Sequence, residues 1–157
     1  MASKSLRVLL LLSCAANSEV LGEIIMRPSC ATGWFYHRSN CYGYFRKLRS
    51  WSDAELKCQS YGNGAHLVSV LNTKEASTIA EYISGYQRNQ PICIGLHDPQ
   101  KRRHWQWIDG ATFLYRAWSG RSTGGNKHCA EMSSSKNFLA WSNNECNKRQ
   151  HFLCKYP

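Results

Sequence analysis

Cysteine content constrains the fold of this chain more than any other feature. The 157 residues include eight cysteines, many more than a protein of a reducing compartment usually carries as free thiols. Lys4 and Arg7 precede a short apolar run over residues 8–12, a pattern typical of a secretory signal peptide. We expect cleavage after Gly22, with cleavage after Ala16 as the alternative. The sequence therefore predicts a secreted, extracellular protein held together by disulfide bonds.

Removal of the predicted signal peptide, residues 1–22, leaves residues 23–157 as one domain with a core over residues 30–155. Loss of two cations and one acid lowers the formal net charge from +10 to +9. The cysteines that remain are Cys30, Cys41, Cys58, Cys93, Cys129, Cys146 and Cys154. Their number is odd, so at least one thiol lacks an internal partner. No apolar run approaches the ~20 residues of a membrane span.

Two helices are predicted in the first half of the domain. Ser52 followed by Glu55 forms a capping box, and Gly62 suits the end of that helix. A second helix is expected from about Asn72 to Gly85. The apolar face of this second helix would consist of Ala76, Ile79, Ala80 and Ile83.

Short aromatic or β-branched runs between turn residues predict strands. The candidate segments are residues 41–45, 66–70, 92–96, 105–108, 129–132, 138–141 and 152–155. The chain has no internal repeat and no linker rich in Pro, Gly or Ser. These observations predict a single α+β domain with two helices and mixed, mostly antiparallel sheets.

Several motifs then occur in an order typical of one fold family. They are Gly33-Trp34-Phe35-Tyr36, Cys41-Tyr42, Trp51-Ser52-Asp53-Ala54, Ile94-Gly95-Leu96, Trp105-Gln106-Trp107-Ile108-Asp109-Gly110 and Phe152-Leu153-Cys154. Together they resemble the long-form C-type lectin-like domain over nearly all of residues 30–155. The short segment before the domain, and the absence of another domain, resemble the regenerating islet-derived family of small secreted lectins.

The resemblance implies three disulfides, which spacing alone does not choose from the 15 pairings that six cysteines allow. The implied bridges are Cys30–Cys41, Cys58–Cys154 and Cys129–Cys146. Cys93 is left over at a position where the family has Trp. We expect Cys93 to be a buried small apolar residue, and the alternative is a reactive or partner-forming thiol.

The resemblance also implies a calcium-dependent sugar site, but its ligands are missing from this sequence. Ca²⁺ takes six to eight oxygen ligands, many of them carboxylates. The Glu-Pro-Asn slot falls on Ser122-Thr123-Gly124, and Lys127 replaces the acid expected before Cys129. The Trp-Asn-Asp motif becomes Trp141-Ser142-Asn143. We therefore expect neither a metal site nor a cofactor.

Polar loops offer other ways to hold a polysaccharide. The first candidate carbohydrate site comprises Asp98, Pro99, Gln100, Lys101, Arg102 and Arg103, and the second comprises Ser135, Lys136 and Asn137. Two further basic clusters are Lys148-Arg149 with His151, and Arg46-Lys47 with Arg49. Each cluster also fits an ordinary solvated turn. Trp118 is the tryptophan expected to contact a sugar, since the others match packing positions of the fold.

The sequence predicts a secreted, calcium-independent lectin that recognises polysaccharide. Direct hydrogen bonding suits mannose-type glycans, whereas Arg and Lys suit sulfated glycans such as heparin; the sequence leaves both open. The resemblance implies a role in epithelial growth, inflammation or defence. The alternatives are a signalling ligand for a cell-surface receptor and an antimicrobial cell-wall binder. No catalytic motif is present, so we expect no enzyme, no nucleic-acid partner and a monomer.

Overall fold

The computed structural model describes residues 29–120 and 125–157, so the predicted signal peptide lies outside the described residues. The helices are α1 (Trp51–Gln59) and α2 (Thr73–Ser84), and a short 3-10 helix spans Ser134–Lys136. The strands are β1 (Phe35–His37), β2 (Asn40–Arg49), β3 (His66–Leu67), β4 (Ile92–His97), β5 (Gln106–Trp107), β6 (Cys129–Met132), β7 (Trp141–Asn144) and β8 (Gln150–Tyr156). No helix in this part of the chain is both long and apolar enough to span a membrane.

The strands form one sheet in the order β1-β2-β8-β4-β6-β7, with β3 beside β8 and β5 beside β4. Every pairing is antiparallel except that of β4 with β8. Ile92 of β4 faces Met132 of β6, and His97 faces Cys129. The segments that follow β4 and β6 therefore leave the sheet at opposite ends. This α+β architecture confirms the predicted fold class.

The start of α1 differs from the prediction. Ser50 caps the helix by accepting a hydrogen bond from the Asp53 N–H at 3.3 Å. The predicted partner of the cap, Glu55, is buried instead and accepts the Leu67 N–H at 2.8 Å. The Glu55 carboxylate thus joins α1 to β3, and the prediction of a capping box at Ser52 is wrong.

The prediction for α2 is confirmed. The Asn72 side chain accepts the Glu75 N–H at 2.8 Å, and the Glu75 carboxylate accepts the Leu71 N–H at 2.7 Å. This reciprocal arrangement satisfies two backbone donors at the helix end. The four expected apolar residues are all buried.

The predicted strand over residues 138–141 is wrong, because β7 begins only at Trp141. Asn137 and Phe138 have φ angles of 54° and 61°. This left-handed backbone turns the Phe138 ring into the core, where it is almost fully buried. Burial of an aromatic ring offsets the cost of an uncommon backbone conformation.

All three expected disulfides are present. The Cys58–Cys154 bridge lies in an apolar cluster with Trp51, Leu67 and Phe152. Cys93 is unpaired and buried in the same cluster, which confirms its expected role in packing. Burial, with the nearby charges of Glu131 and Glu55, raises the pKa of the Cys93 thiol above its usual range. A buried thiol of this kind is chemically inert.

One buried ion pair links α2 to the sheet. The Lys155 ammonium donates to the Glu75 carboxylate at 2.8 Å and to the Ser69 carbonyl oxygen at 3.1 Å. The Tyr42 hydroxyl donates to the same carboxylate. Burial, together with the Glu75 charge, raises the pKa of the Tyr42 phenol. The charges are paired and hydrogen-bonded, as buried charges must be.

Candidate functional site

The first candidate loop folds around a buried carboxylate. Asp98 follows β4 directly and is only 2% exposed. Its carboxylate accepts the Arg102 N–H at 3.2 Å and the Arg103 N–H at 2.9 Å. Its own N–H donates to the His128 carbonyl oxygen at 2.8 Å. Lys101 and Arg103 have φ angles of 57° and 61°, so these bonds hold a tight turn in one conformation.

The charge of Asp98 is stabilised by the loop that it organises. Burial alone raises the pKa of a carboxyl, but here the backbone N–H groups of Arg103 and Arg102 and the side chain of His128 outweigh it. The net effect holds the Asp98 pKa below its ordinary value. The His128 Nδ1 lies 3.3 Å from the carboxylate. Asp98 is therefore a positioning residue, which the sequence alone did not reveal.

The other members of the first loop reach solvent. Pro99, Gln100, Lys101, Arg102 and Arg103 are all exposed. They present an amide and three cations on a backbone that is already fixed. Because little conformational entropy is left to lose, such a loop is suited to binding a ligand.

A cavity of about 350 Å³ lies between this loop and the start of α1. Its wall includes His97 and Lys101 on one side and Glu145 and Asn147 on the other. The His97 ring stacks on Trp51 with a centroid distance of 4.3 Å. Burial lowers the pKa of His97, which keeps the imidazole neutral at pH 7. Carboxylate, amide and ammonium groups around an aromatic base are suitable partners for sugar hydroxyls.

The second candidate cluster lies at the other end of the sheet. Ser135 and Lys136 belong to the 3-10 helix that follows β6, and Asn137 ends it with left-handed backbone. All three residues are exposed. Since β4 and β6 are antiparallel, this turn lies beside the start of β4, whereas the first loop lies beyond its end. The structure does not bring the two candidate clusters together.

Among the described residues, those at or next to the family's calcium positions do not fit Ca²⁺. The Asn143 side-chain N–H donates to the Lys127 carbonyl oxygen at 3.2 Å, and the Asn144 amide donates to the buried carboxylate of Glu131. Residues 122–124 lie outside the described residues. Within residues 29–120 and 125–157 no group of three or more His, Cys, Asp or Glu side chains is arranged to hold a metal ion.

An aromatic pocket of about 160 Å³ adjoins Asn143. Trp105 and Trp118 meet edge to face at 4.9 Å between ring centroids, and Trp141 closes the pocket beneath them. Trp118 is partly exposed, so its face is available to a ligand. Trp105 also lines this pocket, although the sequence assigned it to packing. Trp105 is partly exposed, a property that the sequence did not predict.

Known proteins are similar to this chain over most of its length. Residues 47–156 match the family described as Lectin C-type domain. Regenerating islet-derived protein 4 of Homo sapiens is 81% identical over 156 residues, covering 99% of each chain.

Solved structures agree with this match. The structure titled Human Regenerating Gene Type IV (REG IV) protein, P91S mutant, is 82% identical with a TM-score of 0.66, covering 82% of this chain and 98% of that one. The crystal structure of human lithostathine is 36% identical with a TM-score of 0.77, covering 83% of this chain and 92% of that one.

Proposed function

This chain belongs to the Lectin C-type domain family, in its regenerating islet-derived group, and from that premise we propose that it is a secreted lectin that binds polysaccharide without calcium. Its role is recognition rather than catalysis. The proposed carbohydrate-binding residues are Pro99 to Arg103 of the first loop, which the buried Asp98 positions, and Ser135 to Asn137 of the second cluster.

The geometry of the first loop carries this proposal. In a calcium-dependent lectin a metal ion orders the binding loop and contacts the sugar. Here the buried Asp98 carboxylate orders the loop through the Arg102 and Arg103 N–H groups. The exposed side chains then face a ligand directly. A metal is not needed for either task.

The chemistry of the calcium positions supports the same proposal. Lys127 carries a cation where the family has an acid, and Ser142 and Asn143 carry no carboxylate. An ammonium group near the site opposes a divalent cation by Coulomb repulsion. The cavity beside the first loop, with Glu145, Asn147 and neutral His97 in its wall, suits the hydroxyls of a neutral, mannose-type sugar.

We expect the triple variant Lys101→Ala, Arg102→Ala, Arg103→Ala to bind mannan at least about tenfold more weakly than the parent, because hydrogen bonds to charged groups contribute about 1.5–3 kcal/mol each. Isothermal titration calorimetry in calcium and in excess EDTA measures the effect. The parent should give the same affinity in both buffers.

A matched variant controls for the loss of charge. Arg38→Ala, Lys57→Ala, Lys74→Ala removes the same three charges from exposed positions outside both clusters and should bind mannan as the parent does. Loss of parent binding in EDTA would overturn calcium independence. Equal affinity in parent and loop variant would overturn the site. If the parent protein bound no glycan on a glycan array, the result would favour the alternative of a signalling ligand for a receptor.

Mannan binding should be constant from pH 7 down to about pH 5, and should be lost only in more acidic solution, below the ordinary carboxyl range of about 4. The pKa of Asp98 is lowered in the folded chain. Its contribution is therefore present above the ordinary carboxyl pKa and is lost only as the pH falls through the lowered value. Titration calorimetry across this range checks the expectation.

The variant Asp98→Asn is the control for the pH effect. Asparagine lacks the ionisable carboxyl group and keeps only one acceptor oxygen, which is uncharged. The mannan binding of this variant should therefore be weaker at pH 7 and should not fall further as the pH passes through the carboxyl range. Loss of parent binding between pH 7 and pH 5 would contradict the assignment.

A further inference from the structure

An irregularity in the pairing of β2 with β8 projects basic residues into solvent. Phe45 faces Phe152 and Arg49 faces Gln150, so β2 has three residues where β8 has one. The strand β2 thus has two extra residues here, and the three residues of this segment, Arg46, Lys47 and Leu48, are all exposed. Bulges of this kind redirect side chains away from the sheet.

The turn before β8 completes this surface. Lys148 and Arg149 are exposed, and the Arg149 guanidinium donates to the Leu48 carbonyl oxygen at 3.4 Å. Two basic clusters that are about a hundred residues apart in sequence thus form one surface. We call it the basic ridge, which consists of Arg46, Lys47, Arg49, Lys148 and Arg149.

Among the described residues, no acid is an ion-pair partner of the ridge cations. No ion pair within 4.0 Å joins any of them to a carboxylate in the described parts of the chain. Half of the acids in these parts are buried and used internally, namely Glu55, Glu75, Asp98 and Glu131. Repulsion among five neighbouring cations is unfavourable, and a bound polyanion would relieve it.

Aromatic contacts hold one flank of the ridge in place. The Arg46 guanidinium lies 5.1 Å from the centroid of the Tyr86 ring, which is 49% exposed. The Tyr44 hydroxyl is hydrogen-bonded to His151 and to Gln87, both at 2.9 Å. Burial and the Arg46 charge lower the pKa of His151. The charge of the ridge therefore comes from Arg and Lys and needs no protonated histidine.

Most of the ridge lies away from the first carbohydrate loop, although Lys148 directly follows Asn147, a wall residue of the cavity beside that loop. β8 runs parallel to β4, with Ile92 facing His151, so the ridge lies level with the start of β4. The first loop follows the end of β4, five residues further on, or roughly 17 Å at the usual rise per residue of a strand. A short ligand on the loop therefore leaves the part of the ridge formed by Arg46, Lys47 and Arg149 accessible.

Other cations extend the ridge across the same end of the sheet. The Gln87 amide contacts Tyr44 of β2, and the Ser134 hydroxyl donates to the Asn89 carbonyl oxygen at 3.3 Å. These contacts place the exposed residues Arg88 and Lys136 along a path that leads from the ridge. A long polyanion has cations to follow beyond the ridge itself.

We propose that the basic ridge is a binding site for sulfated glycosaminoglycan segments, separate from the first loop and occupied at the same time as it. Guanidinium groups pair with sulfate oxygens in a bidentate geometry. Leu48 is the one apolar side chain of the bulge, which is too little for insertion into a lipid surface. Binding at the ridge is independent of the proposed function, whereas simultaneous occupancy rests on it.

The test compares two variants of equal charge by their affinity for a defined heparin oligosaccharide. The ridge variant is Arg46→Gln, Lys47→Gln, Lys148→Gln, and the control variant is Arg38→Gln, Lys57→Gln, Lys74→Gln. Calorimetry should show about tenfold weaker binding and a shallower salt dependence for the ridge variant, because fewer ion pairs form. The control should stay within about twofold of the parent.

Further arms separate the proposal from its competitors. The ridge variant should bind mannan as the parent does, and heparin-saturated parent protein should still bind immobilised mannan. Equal loss in both variants would overturn the ridge in favour of general charge attraction. A larger heparin loss in the loop variant would place the site at the loop instead. If the ridge variant loses binding only to vesicles of anionic phospholipid, the ligand is lipid and the proposal fails.

Discussion

Replacing both Cys58 and Cys154 by alanine should lower the free energy of unfolding by about 4–5 kcal/mol, because this bridge closes most of the domain into one loop. The two residues are 96 apart in sequence. The bridge therefore removes more conformational freedom from the unfolded chain than either of the others. Both cysteines are also fully buried, so the replacement additionally loses packing. Urea denaturation followed by circular dichroism measures the change.

The Cys30–Cys41 bridge provides the matched control. It spans only 11 residues, so its removal should cost about 3 kcal/mol in the same chain-entropy relation. Both double variants are best made in a Cys93→Ala background, since the buried thiol becomes free to exchange once the chain unfolds. Equal losses for the two bridges would show that loop length does not set the stabilisation.

The variant Lys155→Met should lose about 3–5 kcal/mol of stability, because it leaves the buried Glu75 carboxylate without its cation. Methionine has a similar volume, so packing is largely preserved. The Glu75 carboxylate retains the Tyr42 hydroxyl and the Leu71 N–H as donors, but neither carries a charge. Thermal and urea denaturation measure the loss.

Two variants test the cause of this loss. Lys57→Met removes a cation from an exposed position and should change stability by no more than about 0.5 kcal/mol. The double variant Lys155→Met, Glu75→Gln should recover part of the loss, since no uncompensated charge remains buried. A double variant less stable than Lys155→Met alone would show that hydrogen bonding, rather than charge, dominates the network.

Local sequence signals predicted some elements of the fold and not others. Asn72 and the apolar residues of α2 predict that helix correctly, because capping and hydrophobic periodicity are local properties of the sequence. The signal at Ser52 failed since Glu55 bonds to β3, a contact that depends on tertiary structure. Phe138 looked like a strand residue, but burial of its ring required a left-handed turn. The disulfide pairing followed from family resemblance and not from spacing.

The sequence predicted the position of the candidate loop but not the interactions that hold the loop in shape. Polar composition between two apolar strands identified the loop after β4. It did not reveal that Asp98 points inward, because a carboxylate in a basic segment looks equally suited to the surface. The basic ridge was visible only as two separate clusters. Their union depends on the register of β2 with β8, which no local pattern encodes.

The central position of β8 has a consequence for how the protein is made. β8 is the last strand in chain order, yet it pairs with β2, β3 and β4. During synthesis none of these pairings can form until residues 150–156 have left the ribosome. The Cys58–Cys154 disulfide likewise cannot form until Cys154 has been synthesised. Until then, Cys58 can form incorrect disulfides with cysteines made earlier. Maturation should therefore be late and dependent on thiol-disulfide isomerases, as expected for a chain dominated by long-range contacts.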